Sequence, residues 1–584
     1  MREKITNNLW WLLPVALSGI LYLNSLKGGF FWDDRGVILE NPAVKSWGSS
    51  LSTFRPGYWL TEHPGSKGQY RPLRNLTFTF DYSLWSNRPA GYHFTNYLLN
   101  LAAVGLICLA ARELFLSETA ALFSGLVFAF HPMHAETVNF IKNRSDILCL
   151  ILLLASLYAF MKGRKGVSLA AYIAALFAKE LAVAYPFVLL FLAGREGKGS
   201  VFKRTLPYFI PAAGLLALKL LYLKVPAGLA EANPLLAGAG PLRLVASTLT
   251  QYFYLLFFPF KLELDRRLDL LSGPASPAFL FFALFWAAVA WVLYKRRPAG
   301  AGVYLFSAAW IFLFLGPVSN LVPLAARPVA EQRLYVPSAG VAFLLGGFLA
   351  ALYGGLGAYR KYAGAALAAL LLFFGYMIMA RNALWADEIR FWAQALRENP
   401  GRAYDNLAAG LMRAGAYSEA EKVYLQLLRR FPGNSSIYAN LGVLAQAKGD
   451  VKGAIGYFTE ASRLEPGSAE LRMNLGSMYL LSGDRAKARA LYLEAAALNP
   501  RSPGVYTNLG VLAAGEGKAR QAAEYFRKAV DLDPDQIEAR LNLANAYMAL
   551  GLRREAEEQR REAQARLAGG AEAPKYNPSV VFKK

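Results

Sequence analysis

Residues 434–467 read NSSIYANLGVLAQAKGDVKGAIGYFTEASRLEPG, and residues 468–501 read SAELRMNLGSMYLLSGDRAKARALYLEAAALNPR. Laid one over the other, they share an Asn-Leu pair, a Gly, an Ala, an aromatic residue and a Pro at the same offsets. The register extends in both directions. Asn-Leu recurs at Asn406-Leu407, Asn440-Leu441, Asn474-Leu475, Asn508-Leu509 and Asn542-Leu543, each 34 residues after the last. Gly415, Gly449, Gly483, Gly517 and Gly551 keep the same step, as do Ala420, Ala454, Ala488, Ala522 and Ala556. So do the aromatics Tyr424, Phe458, Tyr492 and Phe526 and the prolines Pro432, Pro466, Pro500 and Pro534. A period of this length is that of a helix pair stacked on its neighbours. Small residues let the two helices approach, the aromatic fills the space between them, and Pro ends the second helix. The fifth repeat has Arg560 at the aromatic position and no closing Pro, as a solvated end cap should.

This is the tetratricopeptide pattern, and it predicts an α-solenoid of about five repeats over 401–569, with a disordered tail at 570–584. Upstream the pattern changes. The chain of 584 residues is 55% hydrophobic with a mean hydropathy of +0.27, too apolar for a soluble protein. Its formal net charge of +23 points first to an anionic surface or nucleic acid. Nucleic acid is discounted, because much of the base lies in short clusters between apolar stretches. These are Lys162, Arg164 and Lys165; Arg195, Lys198, Lys203 and Arg204; Lys295, Arg296 and Arg297; and Arg360 and Lys361. Such clusters mark the cytoplasmic ends of membrane helices. The expected fold is therefore all-α: a polytopic membrane domain over 1–380, a linker helix over 381–400, then the repeats. About eleven spans, beginning with a retained signal anchor, would put the N-terminus inside and the repeats outside. One stretch between 205 and 276 is expected to be re-entrant. Cys108 and Cys149, the only cysteines, lie in apolar stretches and make no disulfide framework.

Anchoring the basic clusters inside leaves loops 27–95, 131–146 and 318–335 outside, and these carry the chemistry. The first contains Phe31-Trp32-Asp33-Asp34. Two adjacent carboxylates at a membrane surface suit a general base or a clamp for the oxocarbenium-like charge of glycosyl transfer; a merely solvated loop is the plainer reading. Farther along the same loop, Arg71 and Arg74 could grip a phosphate with paired hydrogen bonds or simply snorkel to lipid headgroups. The second loop supplies His131, His134 and Glu136, then Lys142, Arg144 and Asp146. The spacing of His131, His134 and Glu136 invites a metal reading, but the histidines are not at the i, i+4 separation of the helical zinc motif and Pro132 interrupts them, so it is the less favoured of the two readings. Glu136 or a histidine is better read as an acid/base or acceptor-orienting group, with Lys142 and Arg144 facing phosphate. Lys179-Glu180 sits at a hairpin turn on the outer side, as a substrate group or a plain salt bridge, and Glu331 with Arg333 joins from the third loop. Acids and bases from four separated segments thus converge on one face of the membrane.

These segments resemble the transmembrane and tetratricopeptide-repeat-containing O-mannosyltransferases and their bacterial relatives, of the C-type glycosyltransferase fold. The resemblance runs through FWDD with Asn41-Pro42, YRPLRNLTF, DYSLW, GYHFTN, HPMHAETVNFIKNRSD, AKE, GPVSNLV, AEQRLYVPS and RNALWADE, in that order along nearly the whole chain. It implies an integral membrane enzyme of the bacterial inner-membrane type, with active site and repeats on the periplasmic side. It further implies a polyprenyl-phosphate sugar donor, Ser/Thr hydroxyls of proteins as acceptors, and an essential acid at Asp33 or Asp34. The tetratricopeptide groove would hold the acceptor protein. A phosphate is already a good leaving group, so no cofactor is required and a divalent metal is not expected. Two other readings stand beside this one: a non-catalytic membrane scaffold that displays the repeats, and a glycan ligase or polymerase with a saccharide acceptor.

Overall fold

The computed structural model describes residues 12–60, 70–193, 198–222, 240–264, 266–270, 276–296, 301–321, 327–398, 400–534 and 536–568. All regular structure among them is helical, and the chain divides into two units, Met1–Pro400 and Gly401–Lys584. The tail expected to be disordered, 570–584, lies outside the described residues.

The first unit contains α1 (Leu13–Tyr22), α2 (Trp47–Ser52), α3 (Pro72–Trp85), α4 (Pro89–Phe115), α5 (Glu118–Ala129), α6 (His134–Asn139), α7 (Arg144–Met161) and α8 (Lys165–Ala178). It continues through α9 (Tyr185–Ala193), α10 (Lys198–Ala217), α11 (Pro241–Phe257), α12 (Pro277–Arg296), α13 (Ala301–Leu315), α14 (Pro337–Gly355), α15 (Arg360–Trp385) and α16 (Glu388–Glu398). Proline opens α3, α4 and α14, where a missing N–H leaves no bond unmade. Ser117 opens α5 by accepting a hydrogen bond from the Ala120 amide at 3.2 Å.

Four helical stretches among the described residues are long and apolar enough to cross a membrane: Pro89–Phe115, Ile141–Met161, Pro337–Gly355 and Gly357–Trp385. Five shorter apolar helices accompany them. Among the described residues, the stretch expected to be re-entrant contains α10, a single π-turn at Leu218–Tyr222, and α11, and residues 258–264 form no helix. Helices in lipid gain little from hiding apolar surface, so close packing of small residues must hold them. A Cβ at Gly346 of α14 would stand 2.2 Å from the Ser124 hydroxyl of α5, and one at Gly340 would stand 2.7 Å from the Ser307 carbonyl of α13. α15, by contrast, leaves most of its apolar length uncovered.

Between α1 and α4 the chain folds over a satellite core of Val37, Ile38, Val44, Phe78, Tyr92 and Ile141. The far end of α15 is tied to it through buried asparagines. Asn382 donates to the Leu21 carbonyl at 3.0 Å and accepts from Asn139 at 2.6 Å. Residues 381–400 were expected to be a linker; instead α16 buries Phe391, Trp392 and Ala395 within the first unit, and the division falls at Pro400.

The second unit pairs α17 (Pro400–Arg413) with α18 (Tyr417–Arg430), α19 (Ser435–Ala447) with α20 (Val451–Leu464), and α21 (Ala469–Leu481) with α22 (Arg485–Leu498). The last pairs are α23 (Pro503–Gly515) with α24 (Ala519–Leu532), and α25 (Ile537–Ala549) with α26 (Arg553–Ala568). Gly449 turns each chain direction at φ +79°, where its N–H reaches the Gln446 carbonyl and that of Asp450 reaches Ala445, both at about the usual hydrogen-bond length. Asp450 then caps α20 at the Gly453 amide, 2.8 Å away. The periodic aromatic lies against the first helix of its pair. A Cβ added at Gly510 would stand 2.5 Å from the Phe526 ring. Gly510→Val should therefore loosen the fourth repeat by about 1–3 kcal/mol, read as faster amide exchange in α23 and α24 of the full chain with the first unit unaffected.

Candidate active site

The turn Phe31-Trp32-Asp33-Asp34 presents its two carboxylates to different surroundings. Asp34 is fully buried and accepts from the Phe31 amide at 3.2 Å and the Lys142 amide at 2.7 Å. Burial pushes its carboxyl up to about 8, against those two donors, which favour the charged form. The Asp33 side chain is 40% exposed and pairs with Lys142 Nζ. Lys142 therefore holds both carboxylates, one by its backbone and one by its side chain. Trp32, between Phe31 and Asp33, has φ +48°, a region that costs a bulky residue about 1–3 kcal/mol.

Beside this pair lies a row of cations. Arg71 forks onto Glu180, with Nη2 to Oε1 at 2.9 Å and Nε to Oε2 at 3.3 Å, and reaches the Ser145 hydroxyl at 3.4 Å. Lys219 adds a second cation to Glu180 at 3.7 Å. Lys179 pairs with Asp146, both buried. Arg74 differs. Its side chain is fully buried in the first turn of α3, and among the described residues its Nε and Nη1 meet no partner. Only Nη2 approaches an acceptor, Asn75 Oδ1 at 3.4 Å. Burial, with Arg71 alongside, pulls its guanidinium down to about 9, while Glu180 and Asp33 act on it from farther off in the opposite sense.

Arg144, expected to face phosphate, is instead consumed in the fold. It bridges buried Asp81 at 2.6 Å and donates to Asn96 at 2.7 Å and to the Tyr92 and Thr77 carbonyls at 2.9 and 3.3 Å. His131 donates to the Leu256 carbonyl at 3.0 Å, His134 Nε2 lies 2.9 Å from the Ser338 hydroxyl, and both rings are buried. Burial pulls His131 down to about 4, so both histidines sit as neutral packing groups. Arg333 donates to the Pro328 carbonyl at 2.9 Å.

Glu136 and Glu331 form a second, buried charge cluster. Glu136 Oε1 pairs with Arg327 at 3.0 Å. Glu331 accepts from Arg381 at 2.7 Å and from the Glu263 amide at 3.0 Å. Burial raises Glu331 to about 7; Arg381 opposes the shift and the charge of Glu136 adds to it. Arg327 lies 5.5 Å over the Trp32 ring, so Trp32 stands between the two clusters. Among the described residues no three His, Cys, Asp or Glu side chains group as metal ligands.

The site thus gathers Asp33, Asp34, Lys142, Arg71, Arg74, Asp146, Lys179 and Glu180, with Glu136 and Glu331 next to them across Trp32. Asp81, Arg327 and Arg381 were given no role in the sequence reading. Asp81 and Arg381 lie inside DYSLW and RNALWADE, where unneutralised Arg144 and Glu331 could have pointed to them; Arg327 had no such signal.

Tetratricopeptide-repeat family models match residues 406–461, 439–503 and 513–572. Over the larger part of its length the chain is similar to proteins named protein O-mannosyl-transferases. Tmtc1 of Drosophila melanogaster is 28% identical over 534 residues, covering 73% of this chain and 62% of the relative. Tmtc2 of Xenopus laevis is 26% identical over 519 residues, covering 71% and 62%. TMTC3 of Mus musculus is 26% identical over 481 residues, covering 74% and 52%. The chain therefore spans between about half and two thirds of the length of these relatives.

The raised value of Asp34 ties stability to pH. Because folding favours the protonated form, its contribution is complete below the ordinary aspartate range and is lost as pH rises towards about 8. Thermal melts in detergent should show the wild type losing stability from about pH 5 to about pH 8, with a shallower decline for Asp34→Asn.

Proposed function

We propose that this chain is an integral membrane glycosyltransferase that moves a sugar from a polyprenyl-phosphate carrier to a Ser or Thr hydroxyl of a protein, on the non-cytoplasmic face and with inversion. The observation that carries this reading is Arg74: a buried guanidinium whose Nε and Nη1 meet no partner among the described residues, beside a solvent-reaching carboxylate at Asp33. Leaving such a group unpaired is costly unless a ligand anion completes it. The neighbouring cations Arg71, Lys142 and Lys179 already have carboxylates, so the vacancy for a phosphate falls to Arg74.

The reaction then needs few parts. The acceptor oxygen attacks the anomeric carbon while its proton passes to the Asp33 carboxylate, held until then by Lys142. The bond from that carbon to the phosphate oxygen breaks, and the phosphate leaves with the electron pair. Its charge is met by Arg74, in a site dry enough for the contact to count. A single displacement inverts the sugar. Asp34, buried and hydrogen-bonded by two amides, keeps the turn in shape rather than taking the proton. The names of the relatives favour mannose as the sugar and protein as the acceptor, and a tetratricopeptide groove suits an extended acceptor segment. The distribution of basic loops supports a site and repeats on the non-cytoplasmic face, and the resemblance favours a bacterial inner membrane with both in the periplasm.

The test is transfer from polyprenyl-phosphate mannose to Ser/Thr peptides by the purified chain. Asp33→Asn should lower kcat by about a hundredfold or more. Arg74→Met should instead weaken donor binding by about tenfold to a hundredfold. Full activity in both variants would sink the reading, and transfer to glycans but not to peptides would reassign the acceptor.

A further inference from the structure

The carboxylate turn is held by four aromatic rings, and two of them, Phe391 and Trp392, come from α16. The Phe31 ring lies 4.6 Å from Phe391, 5.2 Å from Trp385 and 5.8 Å from Trp392, stacked on the last at 11°. Trp32 meets Trp392 edge-on at 5.2 Å and stacks on Phe140 at 5.8 Å and 4°. Trp32 is also the residue at φ +48°. A non-glycine residue keeps that conformation only when its surroundings impose it, and Trp32 is packed by Trp392 of α16, by Phe140 and by the Arg327 guanidinium over its ring. Trp392 is fully buried and touches both residues that precede Asp33.

α16 is also fastened along its length. Its start lies at Arg35, whose guanidinium is 3.9 Å from Glu388. At its end Glu398 accepts from the Leu264 amide at 2.6 Å. Just before it, Arg381 donates to Glu331 at 2.7 Å and to the Glu263 carbonyl at 3.1 Å. A spacer between two domains needs none of these contacts, and it has no reason to bury two aromatic side chains against a reactive turn.

We propose that α16 is a wall of the transfer site, with Trp392 a positioning residue that acts through Trp32 to hold Asp33 where it can take the acceptor proton. This rests on the assignment of Asp33 above. The effect is one of aim, because the ring touches neither carboxylate. A general base displaced by a fraction of its hydrogen-bond length loses its transition-state contact, while a donor gripped by Arg74 on α3 stays bound.

The experiment compares wild type, Asp33→Asn, Trp392→Ala and Trp392→Phe as full chains, with polyprenyl-phosphate mannose and a Ser/Thr peptide. Trp392→Ala should lower kcat by about tenfold to a hundredfold with the donor KM unchanged, and Trp392→Phe, which keeps a flat ring in the contact, should recover most of the loss. A merely structural role would instead lower the fraction of active protein without rescue by Phe in proportion to ring contact. If Trp392→Ala fails to stay monodisperse in detergent, Trp392→Leu carries the comparison. An unchanged kcat in Trp392→Ala or Trp392→Leu, or a loss confined to donor KM, overturns the role of α16 while leaving Asp33 standing. An Asp33→Asn variant as active as wild type removes the base itself and the inference with it.

Discussion

Lys142 bears on both carboxylates of the reactive turn at once, and the arrangement of the outer loops depends on that double contact. Its amide meets Asp34 and its ammonium meets Asp33, so one residue of the second loop fixes the shape of the first. A carboxylate withdrawn from water without such a partner would be neutralised or expelled. The same demand spreads outward. Arg71 meets Glu180, Lys179 meets Asp146, Arg144 meets Asp81, Arg327 meets Glu136 and Arg381 meets Glu331. Each pair joins segments far apart in the chain, and together they add to the apolar packing of the loops.

Against that pattern of neutralised charge, Arg74 stands out because burial has removed its water and, among the described residues, no carboxylate pairs with it. The two units handle close approach in a common way despite their different solvents. In the first, glycines of α14 admit α5 and α13; in the second, Gly442, Gly476 and Gly510 of α19, α21 and α23 admit the aromatic of the partner helix. Lipid and water agree on this point because contact between helices is limited by side-chain bulk in both. The difference lies outside the contact, where α15 keeps apolar residues uncovered and the repeats expose polar ones.

The helical class, the repeat register and the division into an apolar body and a polar solenoid were legible in the sequence, since each is a matter of periodicity along the chain. Basic clusters, taken as markers of one membrane side, suggest from the sequence that Asp33, Arg71, Lys142 and Glu180 share a face, and the structure pairs Lys142 with Asp33 and Arg71 with Glu180. What misled was residue type read without its partner. Arg144 looked like a phosphate ligand and His131 and His134 like working histidines, yet the first is spent on Asp81 and backbone carbonyls, and the others are buried and bonded within the protein. The segment after Arg381 looked like a connector because its helical periodicity is that of any amphipathic helix, which does not say what the apolar face will meet.

By itself, then, the sequence determined which elements form and which loops carry charge, because a 34-residue step and a run of apolar residues are local facts. Tertiary structure alone decided that Asp33 reaches solvent while Asp34 does not, that the buried Arg74 pairs with no carboxylate among the described residues, and that Trp392 lies against the turn. Those outcomes depend on distances between residues far apart in the chain, Lys142 with Asp33 or Phe31 with Trp392, and on how much water burial removes from each group. No period along the chain encodes either quantity.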